Sequence, residues 1–257
     1  MKTSVFKLIC SVFAATFIMS SCLGDGEGSY EAKRELVYIT TVNGSTVAAT
    51  SAGYVYHSDL NSLSPGRCYY IGYKIKSGAG SGIYQAESIA LLEDGEPLPQ
   101  KALNVTEAGT DGVTTTSFAT GGFYADNYFG DRWLFNYTVS LKAGEETEAY
   151  FYYDPNDQKE DGEDLAANRV IIDVRIRKLA EIPGEGKETK KTIEAIGDLS
   201  ALRTNYAPTY DSDKDYVPVF IKFRYVKYND KNEPVKTLLG SWSENASNVC
   251  YMYFKKD

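Results

Sequence analysis

Residues 67–76 read RCYYIGYKIK, and their side chains alternate: Tyr69, Ile71, Tyr73 and Ile75 share one face, and Tyr70, Gly72, Lys74 and Lys76 share the other. A period of two residues is the mark of a strand packed on one side. Residues 133–141 (WLFNYTVSL) repeat the pattern, with Trp133, Phe135, Tyr137, Val139 and Leu141 in register. So do residues 169–179 (RVIIDVRIRKL), where Ile172, Val174 and Ile176 oppose Asp173, Arg175 and Arg177. Residues 216–228 (YVPVFIKFRYVKY) read as a long strand, and Pro218 inside it points to an edge position or a bulge. The chain holds 21 Tyr and 11 Phe, residue types that suit pleated surfaces.

Shorter strands fill the intervals. Residues 36–42 and 46–50 flank Asn43-Gly44, a strong hairpin signal. Residues 53–57 and 83–92 are further strand candidates, as are 149–153 and 249–254. Residues 78–82 (GAGSG) read as a hairpin tip, without the following Lys-Ser/Thr of a phosphate-binding loop. Residues 154–164 read as an acidic loop and residues 183–191 as a charged one. Ile193, Ile196, Leu199 and Leu202 recur every three residues, which suggests a short helix within 192–203. Many short strands with turns between them, and no alternation of strands with helices, give an all-β fold. The expected layout is a barrel-like domain over residues 36–110, then a β-sandwich over residues 111–257.

The amino-terminal end carries an address. Lys2 and Lys7 precede an apolar run from Leu8 to Met19, and Ser20, Ser21 and Cys22 follow. The run is shorter than the roughly 20 residues of a spanning helix. Residues 1–21 therefore read as a signal peptide of the lipoprotein type, with Cys22 as the lipidated first residue of the mature chain. Ordinary secretion, with Cys22 a free thiol, is the alternative. Residues 22–35 begin LGDGEGS after the cysteine and read as a flexible acidic tether. The expected location is the outer membrane, lipid-anchored, with the folded part at the cell surface or facing the periplasm.

The formal net charge is −8. An acidic surface repels phosphates, so a nucleic-acid partner is not expected. Besides Cys22, the mature chain would keep Cys68 and Cys250, far apart in sequence and read as two separate buried thiols rather than a disulfide. His57 is the one histidine, and no HExxH, Cys-x-x-Cys or G-x-S-x-G stands in the chain. No catalytic residue, cofactor or metal is expected. Asp211, Asp213 and Asp215 open like a calcium loop, but Tyr216 and Lys222 stand where such a loop needs Gly and Glu. Asp154, Asn156 and Asp157 form another acidic turn. Tyr124, Tyr128, Phe129 and Trp133 cluster among glycines, either as an exposed ligand-binding aromatic loop or as core anchors.

Several segments together resemble the NigD-like lipoproteins of Bacteroidota. They are Ser21-Cys22-Leu23 with Asp25 and Glu27, the strand at 36–42, and Pro65-Gly66-Arg67 before a long aromatic strand. Residues 131–141 and 217–228 complete the set. Gly24 interrupts the acidic run, and the loops at 154–164 and 183–191 are long for that pattern. The resemblance implies an OB-fold domain followed by a β-sandwich domain, and surface export through the acidic residues after Cys22. It supplies no catalytic residues. The expected function is a non-enzymatic envelope lipoprotein that binds an unidentified protein or glycan, with a glycan-binding module as the alternative and a carboxylate-dependent hydrolase behind it.

Overall fold

The computed structural model describes residues 29–76, 83–121, 129–179, 184–211 and 213–256. They form two compact units that divide after Leu98. The division falls about ten residues before the expected one, because residues 100–104 pair within the second sheet.

The first unit is a closed five-stranded barrel. Its strands are β1 (Ser29–Val42), β2 (Ser45–Thr50), β3 (Gly53–Tyr56), β4 (Cys68–Lys76) and β5 (Ile83–Leu91). Around the wall the order is β1-β2-β3-β5-β4, and β4 closes onto β1. Only β3 and β5 run parallel. This is the small Greek-key barrel of an OB-like unit. Asn43 and Gly44 both adopt positive φ, 50° and 80°, as a two-residue hairpin turn requires. Tyr69, Ile71, Tyr73 and Ile75 enter the barrel core, as their alternation predicts. Tyr70 on the opposite face is also buried, under the Arg34 guanidinium 3.5 Å from its ring centroid.

Strand β1 starts earlier than residue 36. Residues 29–35, expected within the tether, pair with the far end of β4 from Ser29↔Lys76 onward, and Tyr30 packs on Tyr73 with ring centroids 5.8 Å apart. A bulge interrupts the pairing between Ala32 and Glu35. Glu35 then takes hydrogen bonds from the Tyr73 hydroxyl (2.8 Å) and the Ser51 N–H (2.6 Å).

The second unit holds β6 (Gln100–Asn104), β7 (Ser117–Thr120), β8 (Arg132–Ala143), β9 (Thr147–Tyr152), β10 (Lys159–Glu160), β11 (Glu163–Asp164), β12 (Arg169–Lys178) and β13 (Glu185–Asp198). One helical turn, α1 (Leu202–Asn205), precedes β14 (Tyr216–Tyr228), β15 (Pro234–Leu239) and β16 (Tyr251–Lys255). Strands β7, β8 and β13 make one layer; β9, β12, β14, β15 and β16 make the other. Short β6 joins them by pairing with β13 on one side and β9 on the other. Near the opposite margin Thr115 bonds to β14 at Val226 and Tyr228, while Thr116 bonds to β8 at Thr138. The expected sandwich is thus stitched at both margins into a nearly closed barrel-like sheet.

Its core is aromatic. Phe135 contacts Phe151 at 4.7 Å and Phe223 at 4.9 Å, centroid to centroid. Trp133, Tyr137, Val139, Leu141, Ile172, Val174 and Ile176 join them, as the alternation predicts. Burial pushes the Tyr137 hydroxyl up to about 12, and its proton goes to the Thr147 carbonyl (3.0 Å).

Two readings are corrected here. Residues 185–191 are strand, not loop, because Glu185 pairs with Ala143 of β8 and, after an irregularity in register, Thr189, Lys190 and Lys191 pair with Leu141, Ser140 and Val139. The helix expected within 192–203 shrinks to the turn Leu202–Asn205, because the same pairing continues to Asp198↔Arg132. Pro218 sits where only one flank of β14 is paired: β16 lies opposite it at Tyr253, and the pairing with β12 begins only at Phe220. Cys68 and Cys250 are both buried thiols, in different units and not joined in a disulfide, and burial pushes the Cys250 thiol up to about 12. Among the described residues no helix is long and apolar enough to cross a membrane.

Candidate functional site

The residues singled out from sequence scatter. Cys22, Tyr124 and Tyr128 lie outside the described residues. Phe129 and Trp133 are buried, 0% and 2% exposed, and Trp133 meets the Phe223 ring edge-on at 5.7 Å. These two anchor the core and offer no face to a ligand, which removes them from the aromatic loop reading. His57 caps a single turn at residues 58–62, its Nδ1 accepting from the Asp59 N–H at 3.2 Å. Asp154 accepts from the Asn156 N–H (2.8 Å), and Asp157 pairs with Arg224 (2.6 Å). Asp211 pairs with Lys214 at 3.4 Å. No group of three or more His, Cys, Asp or Glu among the described residues is placed to hold a metal.

The structure instead draws attention to the outward face of the second unit. Along β12 and β14 alternate residues turn inward, so Asp173, Arg175, Lys222 and Arg224 must lie on the outside. Their charges are paired there. Asp173, 4% exposed, takes Arg224 through both carboxylate oxygens (2.9 and 2.6 Å) and Arg175 at 3.1 Å. Arg175 also donates to the Gly109 carbonyl at 2.8 Å, which straps residues 107–115 across β12. The bonds to Asp173 raise the Arg224 pKa beyond its ordinary value. A cleft of about 360 Å³ lies beside this network, with Glu107, Asp154 and Lys236 on its other walls. Arg224 thus bridges Asp173 and Asp157.

The acidic loop at 154–164 folds onto the same face. It holds a two-residue hairpin, β10 to β11, turning at Asp161 and Gly162 with φ 52° and 87°. Gln158 before it bonds both backbone groups of Ile171, at 2.8 and 3.0 Å, like a one-residue strand. Glu160 receives Lys222 (2.6 Å) and the Trp242 indole N–H. Burial alone would raise the Glu160 carboxyl, but those two hydrogen bonds outweigh it and hold it below its ordinary value. Trp242 is bracketed by Lys222 and Arg169, 4.5 and 5.4 Å from its ring.

Beyond Trp242 the face turns aromatic. Tyr216, Pro218 and Phe220 of β14 stand opposite Lys255, Tyr253 and Tyr251 of β16. Tyr216 is 53% exposed and Tyr253 37%, and the other rings are half-buried. Phe220 and Tyr251 lie 6.3 Å apart, and Tyr251 and Tyr253 5.3 Å at an interplanar angle of 71°. The signal for this patch stood in the sequence, in the alternating YVPVF and YMYFK. Only the pairing of two segments more than thirty residues apart makes it a surface.

No family model and no curated protein sequence matches the chain. Among solved structures the chain is similar to a protein of unknown function from Bacteroides vulgatus, at 7% identity and TM-score 0.45, covering 85% of this chain and 94% of that one. It is also similar to a candidate lipoprotein from Bacteroides fragilis, at 13% identity and TM-score 0.46, covering 89% and 99%. A NigD-like immunity protein from Bacteroides caccae is similar at 13% identity and TM-score 0.46, covering 80% and 91%.

Proposed function

We propose that the protein is a lipid-tethered, non-enzymatic binding module of a bacterial cell envelope, held by Cys22 and contacting its partner through the outward face of β14 and β16. The exposed aromatic face carries this reading. Large aromatic side chains left in solvent on a rigid scaffold mark interaction surfaces, because they bury much area at little entropic cost. The lipobox-like Met19-Ser20-Ser21-Cys22 supports the anchor, and the outer membrane is the membrane proposed.

The test places a photo-crosslinking residue at position 253 in living cells. Light should join the protein to a specific macromolecule, while the same residue at Lys159 should not. Fractionation of the same cells should find the wild type in membranes and Cys22→Ala released or unprocessed. No adduct specific to position 253 would remove the binding face, and an unlipidated Cys22 would remove the tether.

A further inference from the structure

We propose that the face of β14 and β16 binds a neutral polysaccharide, seating successive sugar rings along Tyr216, Tyr253, Phe220 and Tyr251. This rests on the preceding reading of that face as the contact surface and names the chemistry of what it contacts.

The composition of the patch argues first. Every outward position from Tyr216 to Phe220, and from Tyr251 to Tyr253, is aromatic or proline; none is Leu, Ile, Val or Met. A pyranose ring has a flat face of C–H groups and an edge of hydroxyls. Aromatic rings suit the first, and phenol hydroxyls suit the second. The Tyr216 and Tyr253 hydroxyls have no hydrogen-bond partner among the described residues, and strand pairing holds the backbone beneath both rings. They are free to bond a ligand's hydroxyls.

Charge argues for a neutral ligand. The rim carries both signs, with Asp215 and Lys255 flanking Tyr216, Lys222 paired with Glu160, and Arg203 paired with Asp131 at 2.5 Å. Neither a phosphate backbone nor an anionic membrane finds a basic field there.

Geometry argues for a polymer. Tyr216 and Phe220 are four residues apart, about 13 Å along the strand, a span of more than one sugar ring. Phe220, Tyr251 and Tyr253 already pack on one another, so little ordering of those three rings is left to oppose binding.

The open edge of β16 is closed to a peptide strand. Arg203 donates to the Tyr253 carbonyl and the Tyr210 hydroxyl to the Lys255 carbonyl, both at 2.7 Å. Those carbonyls are taken, so strand addition is blocked there and the ring face remains.

The test is affinity electrophoresis of the intact protein, purified in detergent, through gels containing α-mannan, mixed-linkage β-glucan or soluble starch. At least one gel should retard the wild type. Tyr253→Ala and Tyr216→Ala should each weaken that retardation roughly tenfold, the loss of one stacking contact, with unchanged melting temperature. Tyr253→Phe, which keeps the ring, should stay within a few-fold of wild type. The proposal falls if no gel retards the protein, or if both alanine variants run like wild type. Blank gels with a specific protein adduct at position 253 would overturn the carbohydrate while keeping the binding module; blank gels and no adduct would overturn both.

Discussion

Glu160 joins three things at once: the acidic loop that carries it, Lys222 of β14, and the Trp242 indole. Its depressed carboxyl has a testable consequence. A carboxylate whose folded pKa is lowered contributes stability that is complete above the unfolded value, about 4.3 for Glu, and is lost as pH falls through the folded value. Wild type should therefore be more stable than Glu160→Gln at neutral pH, and the gap should close as the pH is taken below 4. Urea unfolding of both proteins across that range measures it, and a gap independent of pH would show that the carboxylate charge is not what matters. Nothing in the sequence around Glu160 set it apart, since its partners come from positions 222 and 242. Trp133 shows the opposite case. Its place in an alternating apolar strand already argued for the core, and the nearby glycines alone suggested a loop ligand site.

Strand β1 illustrates how an element bends. Lys33 and Arg34 fall between the register pairs Ala32↔Tyr73 and Glu35↔Ile71, so two residues oppose the single Gly72. A Cβ on Gly72 would come within 2.8 Å of the Lys33 carbonyl oxygen, which only glycine permits. Gly72→Ala should cost about 1–3 kcal/mol and loosen β1 and β4 specifically. Hydrogen exchange read strand by strand should show faster opening in the first barrel and an unchanged second unit; equal loosening of both would contradict the assignment. Strands with one clean apolar face were legible because burial imposes period two on them. Strand β13 was not, because residues 185–192 are exposed on both faces and its alternation carries no burial signal. Its buried end held Ala195, Ile196 and Gly197 in succession, which no strand template anticipates. Gly197 is needed there because a Cβ would meet the Phe135 and Phe151 rings at 2.8 and 2.9 Å. The exposed edge of β15 opens with Pro234 and carries Lys236, residues that discourage pairing with another chain.

At the scale of the molecule, the two units change over across one peptide bond. The Leu98 N–H donates to Cys68 in the first barrel (2.9 Å), and the Pro99 carbonyl accepts from Ile196 in the second unit (2.7 Å). The expected polar linker near residue 110 was legible as irregular chain, but its strapping by Arg175 and Val113 across β12 was not. Each unit has its own core, so residues 99–257 should fold alone and unfold cooperatively in urea with Trp133 protected from quenching. A molten product, with Trp133 open to quencher, would show that the second core depends on the first. The closure of that second unit also sets an order of events during biosynthesis. Residues 100–104 must wait for Ile196 and its neighbours, Thr115 must wait for Val226, and Val219 must wait for Met252. A growing chain can complete its first barrel while the ribosome is still at work. Its second sheet has raw edges until β16 emerges, so a premature stop just before β16 would take Met252 and Phe254 from the core and leave that sheet unfinished.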